Sequence, residues 1–302
     1  ILLTSGTTGT PKGASHSGGD PGVLKSILDR TPWRTEQPVV VVAPMFHAWG
    51  FSQLVFAASM SCTIITRRKF DPEATLELID RHRATGLCVV PVMFDRIMEL
   101  PTEVLDRYSD RSLRFAAASG SRMRPDVVIA FMDRFGDVIY NNYNATEAGM
   151  IATATPRDLR AAPDTAGRPA EGTEIRILDA ELHELPVGEV GSIYVRNSTQ
   201  FDGYTSGQTK EFHEGFMCSG DVGYVDDAGR LFVVGRDDVQ ALLFDTWKSH
   251  KDAQTRAFAM LALGRLGGEQ TRTQLIRTFH RASSAIEQPW CALALGLLSG
   301  ET

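Results

Sequence analysis

Runs of strand length alternate with helical segments through the first half of this chain, and that alternation leaves few folds open. Val39-Val40-Val41-Val42-Ala43, Cys62 to Thr66, Gly86 to Val90, Leu113 to Ala118 and Val138-Ile139-Tyr140 read as strands. Between them His47 to Met60, Asp71 to Ala84, Pro91 to Leu100 and Pro125 to Phe135 read as helices. Asp71 offers an N-cap oxygen and Pro72 a pre-set φ at the first helical position. Strands and helices in turn, joined by short connections, imply an α/β fold with a doubly wound, mostly parallel sheet and helices on both faces. Residues 1–150 are expected to build it. The expectation places Thr4 to Gly13 in an exposed loop after a first strand at Ile1-Leu2-Leu3.

After about Gly149 the pattern changes. Glu174 to Leu178, Gly191 to Arg196, Asp221 to Val225 and Leu231 to Val234 read as strands, with Asp226-Asp227-Ala228-Gly229 as a hairpin turn. This predicts a smaller β subdomain. From Val239 onward the chain reads as helices: one capped by Asp252 and running through Leu266, one from Glu269 to Arg281, and one starting at Pro289. A shift of 32 residues superposes Leu261-Ala262-Leu263-Gly264 on Leu293-Ala294-Leu295-Gly296. A repeat of this kind suggests stacked helical hairpins, with Leu261, Leu263, Leu293 and Leu295 in one apolar layer. The tail resembles HEAT-like repeats and is a candidate surface for a protein partner.

The 302 residues carry a formal charge of −6, which gives no reason to expect nucleic acid or an anionic membrane as partner. Cys62, Cys88, Cys218 and Cys291 form no CxxC pair, so a reduced, cytoplasmic protein is expected. No apolar run reaches the ~18 residues of a bilayer span, and no signal peptide is read.

The segment Thr4-Ser5-Gly6-Thr7-Thr8-Gly9-Thr10-Pro11-Lys12-Gly13 carries the strongest chemical signal. Glycines let a backbone turn tightly and aim N–H groups at an anion. The hydroxyls add donors and Lys12 a positive charge. The lysine lacks the preceding glycine and following hydroxyl of a GxxxxGK[ST] loop, so this is a phosphate-binding loop of another kind.

This decapeptide resembles the signature loop of the adenylate-forming, AMP-binding superfamily, which includes acyl-CoA synthetases, luciferases and peptide-synthetase adenylation domains. Further segments follow in family order. Pro44-Met45-Phe46-His47-Ala48-Trp49-Gly50 is similar to the segment whose histidine gates the acyl pocket. Ser119-Gly120-Ser121-Arg122-Met123 is similar to the adenine-binding turn, with Arg122 where proline is usual. Asn141 to Glu147 resembles the aromatic-x-x-Thr-Glu motif, with Asn144 where glycine is usual. Ser219-Gly220-Asp221 is similar to a Thr-Gly-Asp triplet, and Gly235 to Asp238 to a hinge. The resemblance covers residues 1–238 and is greatest to long-chain fatty acyl-CoA ligases.

The resemblance implies a reaction and a set of roles. A carboxylic acid, by this resemblance a fatty acid, would attack the α-phosphate of ATP, and the thiol of CoA would then attack the acyl-AMP. Thr4, Ser5, Gly6, Thr7, Thr8, Gly9 and Lys12 would hold the β- and γ-phosphates. Tyr143 would stack on adenine, with Asn141, Gly120 and Ser121 at its edge. Thr146 would contact the α-phosphate, and Glu147 would hold Mg2+ through hard oxygen ligands. Asp221 would bind the ribose hydroxyls with Arg236 beside it, and Asp238 would be the hinge. The catalytic set is then Thr146, Glu147, His47 and Lys12. Taken singly, His47 reads as a packed histidine and Glu147 as a surface acid; order and spacing raise them to site residues. His183, His213, His250 and His280 show no metal-ligand spacing.

Family members have a segment before the loop and a lid domain after the hinge, whose lysine orients the acyl carboxylate. The expectation is therefore residues 1–238 as a large domain truncated at both ends, and 239–302 as a helical-repeat fragment. Weak or absent turnover by such a chain is expected. A natural fusion, a decayed gene and a mis-joined frame all agree with this, as does a rival reading as a non-catalytic interaction protein with a vestigial nucleotide site.

Overall fold

The computed structural model describes residues 2–4, 12–15, 27–201, 203–204, 209–235, 243–244, 246–249, 251–266, 269–281 and 287–299. Two compact units emerge, Ile1–Val233 and Val234–Thr302.

The first unit is built on a seven-stranded sheet of order β4-β3-β5-β6-β7-β8-β9. Its strands are β3 (Pro38–Val41), β4 (Thr63–Ile65), β5 (Gly86–Val89), β6 (Phe115–Ala118), β7 (Ile139–Ala145), β8 (Gly149–Ala154) and β9 (Arg168–Pro169). The pairings from β4 to β7 are parallel, while β8 and β9 are antiparallel, so the sheet is mixed.

Successive side chains on a strand point to opposite faces, and the core divides accordingly. Val40, Leu87, Val89, Ala116 and Ala118 join one buried cluster; Val39, Val41, Cys88, Phe115 and Ala117 join another. Helices α2 (Pro72–His82), α3 (Pro91–Met98) and α5 (Pro125–Phe135) cover the first face; α1 (Ala48–Ser59) covers the second through Trp49, Phe56 and Ala57. Burial on both sides is why these strands read as continuous apolar runs. Phe94 and Phe131 meet edge to face at 4.7 Å, fully buried, and burying each such side chain contributes about 1.5–3 kcal/mol. Asp71 caps α2 by accepting from the Ala74 N–H at 2.8 Å, a contact typically worth ~1 kcal/mol. Two short helices, α4 (Thr102–Leu105) and α6 (Pro156–Ala161), complete this region.

A five-stranded antiparallel sheet follows: β10 (Glu174–Leu178), β11 (Gly191–Arg196), β13 (Phe212–His213), β14 (Phe216–Val225) and β15 (Leu231–Val234). The turn between β14 and β15 has the expected hairpin form, with Asp226 and Arg230 joined across it at 3.0 Å. Ile177, Ile193, Val195, Met217 and Leu231 pack with Ile151 and Ala152 of β8, so one core joins the two sheets.

The start of the chain departs from expectation. β1 (Leu2–Thr4) and β2 (Lys12–Ser15) pair antiparallel, Thr4 opposite Lys12, in a separate three-stranded sheet with β12 (Gly203–Tyr204). Lys12 and Gly13 therefore belong to a strand rather than a loop, because backbone pairing with β1 overrides their turn-forming character. Residues 5–11 lie outside the described residues.

In the second unit α7 (Ala253–Leu266), α8 (Glu269–Arg281) and α9 (Glu287–Ser299) form helices around Phe244, Trp247, Met260, Leu263, Leu275, Cys291 and Ala294. Asp252 caps α7 through the Thr255 N–H at 2.7 Å. Leu263 is buried and Leu261 and Leu295 partly so, but Leu293 is 52% exposed. Residues two apart on a helix point about 200° apart, so Leu293 and Leu295 cannot share one layer. No helix among the described residues is long and apolar enough to cross a membrane.

Candidate active site

Ligands of open α/β sheets collect outside the carboxyl ends of the strands, and the motif residues sit there. Pro44 to His47 follow β3, Ser119 to Ser121 follow β6, and Thr146-Glu147 follow β7. His47 occupies the N-cap position of α1 with no side-chain cap bond, and it is exposed. The strand that leads to it, β3, lies three strand spacings from β7, roughly 14 Å across the sheet.

The polar run Asn141-Asn142-Tyr143-Asn144-Ala145 is strand, extending β7 well past the apolar part that ends at Tyr140. β8 pairs with it throughout, and the register shifts between Tyr143 and Asn144. Asn142 is 4% exposed and acts as the internal tie. Its amide nitrogen donates to the Ala118 and Tyr140 carbonyls at 3.4 and 3.3 Å, and its oxygen accepts from the Thr153 hydroxyl at 3.0 Å. Asn141 donates to the Thr165 carbonyl at 3.2 Å, and Asn144 to the Ser119 hydroxyl at 3.3 Å. The end of β7 is thereby fixed to the turn after β6, where Gly120 takes φ +108 and Ser121 is exposed.

A second irregularity delivers Asp221. On β11 only Ile193 separates Ser192 from Tyr194, while on β14 three residues separate their partners Val222 and Cys218. Bulges of this kind re-aim side chains. Here Ser219, Gly220 and Asp221 stand opposite Ile193 alone, two residues more than regular pairing holds. The Asp221 N–H bonds the Ser219 hydroxyl at 3.1 Å, and Lys210 Nζ bonds the Ser219 carbonyl at 2.9 Å. Across the gap, the Tyr143 hydroxyl donates to Asp221 Oδ2 at 2.5 Å. Burial, then the Asp221 charge, pushes the Tyr143 phenol well above its ordinary range. Two motif residues 78 positions apart in sequence are in direct contact.

Glu147 is held in a similar way. The Tyr204 hydroxyl donates to Glu147 Oε1 at 2.6 Å, and the Phe201 N–H donates to the Glu147 carbonyl at 2.8 Å. Among the described residues no three His, Cys, Asp or Glu converge to hold a metal. A cation at Glu147 would thus be held by one carboxylate together with ligand oxygens, a donor set that suits Mg2+.

Of the expected site residues, Tyr143 and Asp221 meet directly, and Thr146 and Glu147 follow Tyr143 in sequence just past the end of β7. Thr4 and Lys12 are placed as paired strand ends by their backbone alone. Ser5, Gly6, Thr7, Thr8, Gly9, Arg236 and Asp238 lie outside the described residues. Sequence reasoning missed Asn142, Tyr204 and Lys210. Asn142 is marked only by its place in a strand that lacks an apolar pattern, and Tyr204 only as an aromatic after a glycine in a polar stretch.

The mixed sheet with an attached β subdomain is the arrangement of the N-terminal domain of adenylate-forming enzymes. The chain belongs to the AMP-binding enzyme family, whose model matches residues 1–205. It is 30% identical to a 2-succinylbenzoate–CoA ligase from Bacillus pumilus over 242 residues, which is 78% of this chain and 48% of that protein. It is 30% identical to an indoleacetate–CoA ligase from Aromatoleum aromaticum over 243 residues, 78% of this chain and 47% of the other. Among solved structures, the amide bond synthetase McbA from Marinactinospora thermotolerans superposes with a TM-score of 0.67 at 29% identity, covering 83% of this chain and 53% of that one. The chain spans about half the length of the curated relatives it matches.

Proposed function

We propose that this chain carries the ATP and acid site of an AMP-forming acid–CoA ligase. A carboxylic acid attacks the α-phosphate of ATP, releasing pyrophosphate and forming acyl-AMP; the CoA thiol then attacks the acyl carbon and AMP leaves. What supports the reading most is the hydrogen bond from Tyr143 to Asp221, since the family's adenine and ribose residues then share one place. Thr4 to Lys12 bind the β- and γ-phosphates, and Thr146 contacts the α-phosphate. Asn141, Gly120 and Ser121 border the adenine, Arg236 is assigned to the ribose by the motif alone, and His47 serves the acyl side. Glu147 would hold Mg2+, a cation that would supply neutralisation of the charge developing between the phosphates. Positioned donors and a metal are what this chemistry requires, because both steps bring anions together.

The finer reading is a fatty acid as substrate and a cytoplasmic location. It sets the domain boundary between residues 238 and 239, with HEAT-like repeats beyond. The relatives' names argue for testing aromatic acids beside fatty ones, since one is a 2-succinylbenzoate and one an indoleacetate ligase. The test is incubation with ATP, Mg2+, CoA and a panel of fatty and aryl acids, with AMP and acyl-CoA read by mass spectrometry. Acid-dependent AMP that Glu147→Ala abolishes supports the reading. Hydrolysis of ATP to ADP, or AMP formation indifferent to every acid, overturns it.

A further inference from the structure

The contact between Tyr204 and Glu147 joins a residue with no family role assigned above to the carboxylate read as the metal ligand. Glu147 lies on the short connection from β7 to β8, where Ala148 N–H bonds the Ala145 carbonyl at 3.2 Å. One segment grips it twice: the Phe201 N–H takes its main-chain carbonyl at 2.8 Å and the Tyr204 hydroxyl takes Oε1 at 2.6 Å. The Phe201 and Tyr204 rings meet edge to face at 4.9 Å, which fixes the direction of the hydroxyl. Tyr204 also sits opposite Ala14 in the pairing of β12 with β2, the strand that starts at Lys12. Tyr204 therefore meets both, β2 through its backbone and Glu147 through its hydroxyl.

We propose that Tyr204 is a positioning residue for Glu147: its hydroxyl holds Oε1 and so presents Oε2 to a divalent cation bound with the nucleotide phosphates. This rests on the proposed ATP site. A free glutamate samples many rotamers, and a donor on one oxygen leaves the other in a defined direction without neutralising the charge. Among the described residues Oε2 accepts no hydrogen bond. Partners of this kind, which orient a metal ligand without touching the metal, typically account for about 10–100-fold in metal affinity.

The test uses the full chain and reads binding rather than turnover. ATP is titrated calorimetrically into wild type and Tyr204→Phe, once in EDTA and once across a Mg2+ series; the phenylalanine ring keeps the packing on Phe201. The expected result is unchanged affinity in EDTA and a Mg2+ requirement raised about 10–100-fold. The shift should vanish in a Glu147→Gln background, because in such a cycle the hydroxyl acts only through that carboxylate. Incorporating 4-aminophenylalanine at position 204 restores a donor and should restore the Mg2+ dependence. An unchanged Mg2+ requirement overturns the proposal, as does an equal loss in EDTA and in Mg2+. Wild type that binds no ATP in either condition overturns the proposed site itself, and this inference with it.

Discussion

Replacing Asn142 with alanine should destabilise the first unit by an amount that follows from its three hydrogen bonds. The side chain is 4% exposed, and it ties the end of β6 at Ala118, its own strand at Tyr140 and β8 at Thr153. A buried hydrogen bond contributes about 1 kcal/mol net, and the two near 3.4 Å count for less than the third. Truncation also strands the Thr153 hydroxyl and opens a small cavity, so the loss should be about 2–4 kcal/mol. For a unit of this size that lowers Tm by roughly 5–12 °C. Melts of wild type, Asn142→Ala, Thr153→Val and the double variant form a cycle, with coupling expected at about 0.5–3 kcal/mol. Asn142→Asp adds a pH signature. Its carboxylate would face two carbonyl oxygens, which raises its folded pKa above the unfolded one; stability is then full at low pH and lost as pH rises through the folded pKa. A loss under about 1 kcal/mol, or strict additivity, would refute the tie.

Tyrosine ionisation offers a second check. Tyr140, Tyr143, Tyr194, Tyr204 and Tyr224 all have phenols raised mainly by burial, Tyr194 to about 12. A raised folded pKa stabilises below the unfolded value near 10 and loses that contribution as pH climbs through the folded one, so stability should decline above about pH 10. Absorbance at 295 nm should show Tyr143, Tyr194 and Tyr204 still protonated at about pH 11, where the denatured chain is ionised; full native ionisation there would refute the burial. Gly167 takes φ +90, and a Cβ on it would lie 2.0 Å from the Ala154 nitrogen. Gly167→Ala should cost about 4 kcal/mol or more, or prevent folding; a variant melting like wild type would contradict this packing.

Where sequence and structure agree, local chemistry decides the element. α5 begins at Pro125 and ends before Gly136, as its residues dictate, and β10, β11 and β15 keep their expected bounds. Asp71 caps the helix it was expected to cap. Where they differ, pairing partners distant in sequence decide. β7 runs on through Asn141 to Ala145 because β8 pairs with it, although three of its last five residues are asparagines. β12 is two residues long and, among the described residues, pairs with β2 alone. The site follows the same division. The order of motifs is local and legible, whereas the bulge that turns Asp221 toward Tyr143 and the hydroxyl that holds Glu147 depend on contacts 78 and 57 residues apart. A strand periodicity cannot reveal such contacts, since the residues that carry the site interrupt it.

The central claim is that Tyr143, Glu147 and Asp221 belong to one ATP site, and a calorimetric titration of Mg-ATP into the purified chain tests it most directly. Wild type should show saturable binding at one site per chain. Asp221→Ala removes the partner of the Tyr143 hydroxyl and the acceptor read as the ribose contact, so it should weaken binding about tenfold or more, the loss of a hydrogen bond to a charged group. Glu147→Gln should weaken binding in Mg2+ but not in EDTA. No heat of binding in wild type, or affinity unchanged by both substitutions, would contradict the account.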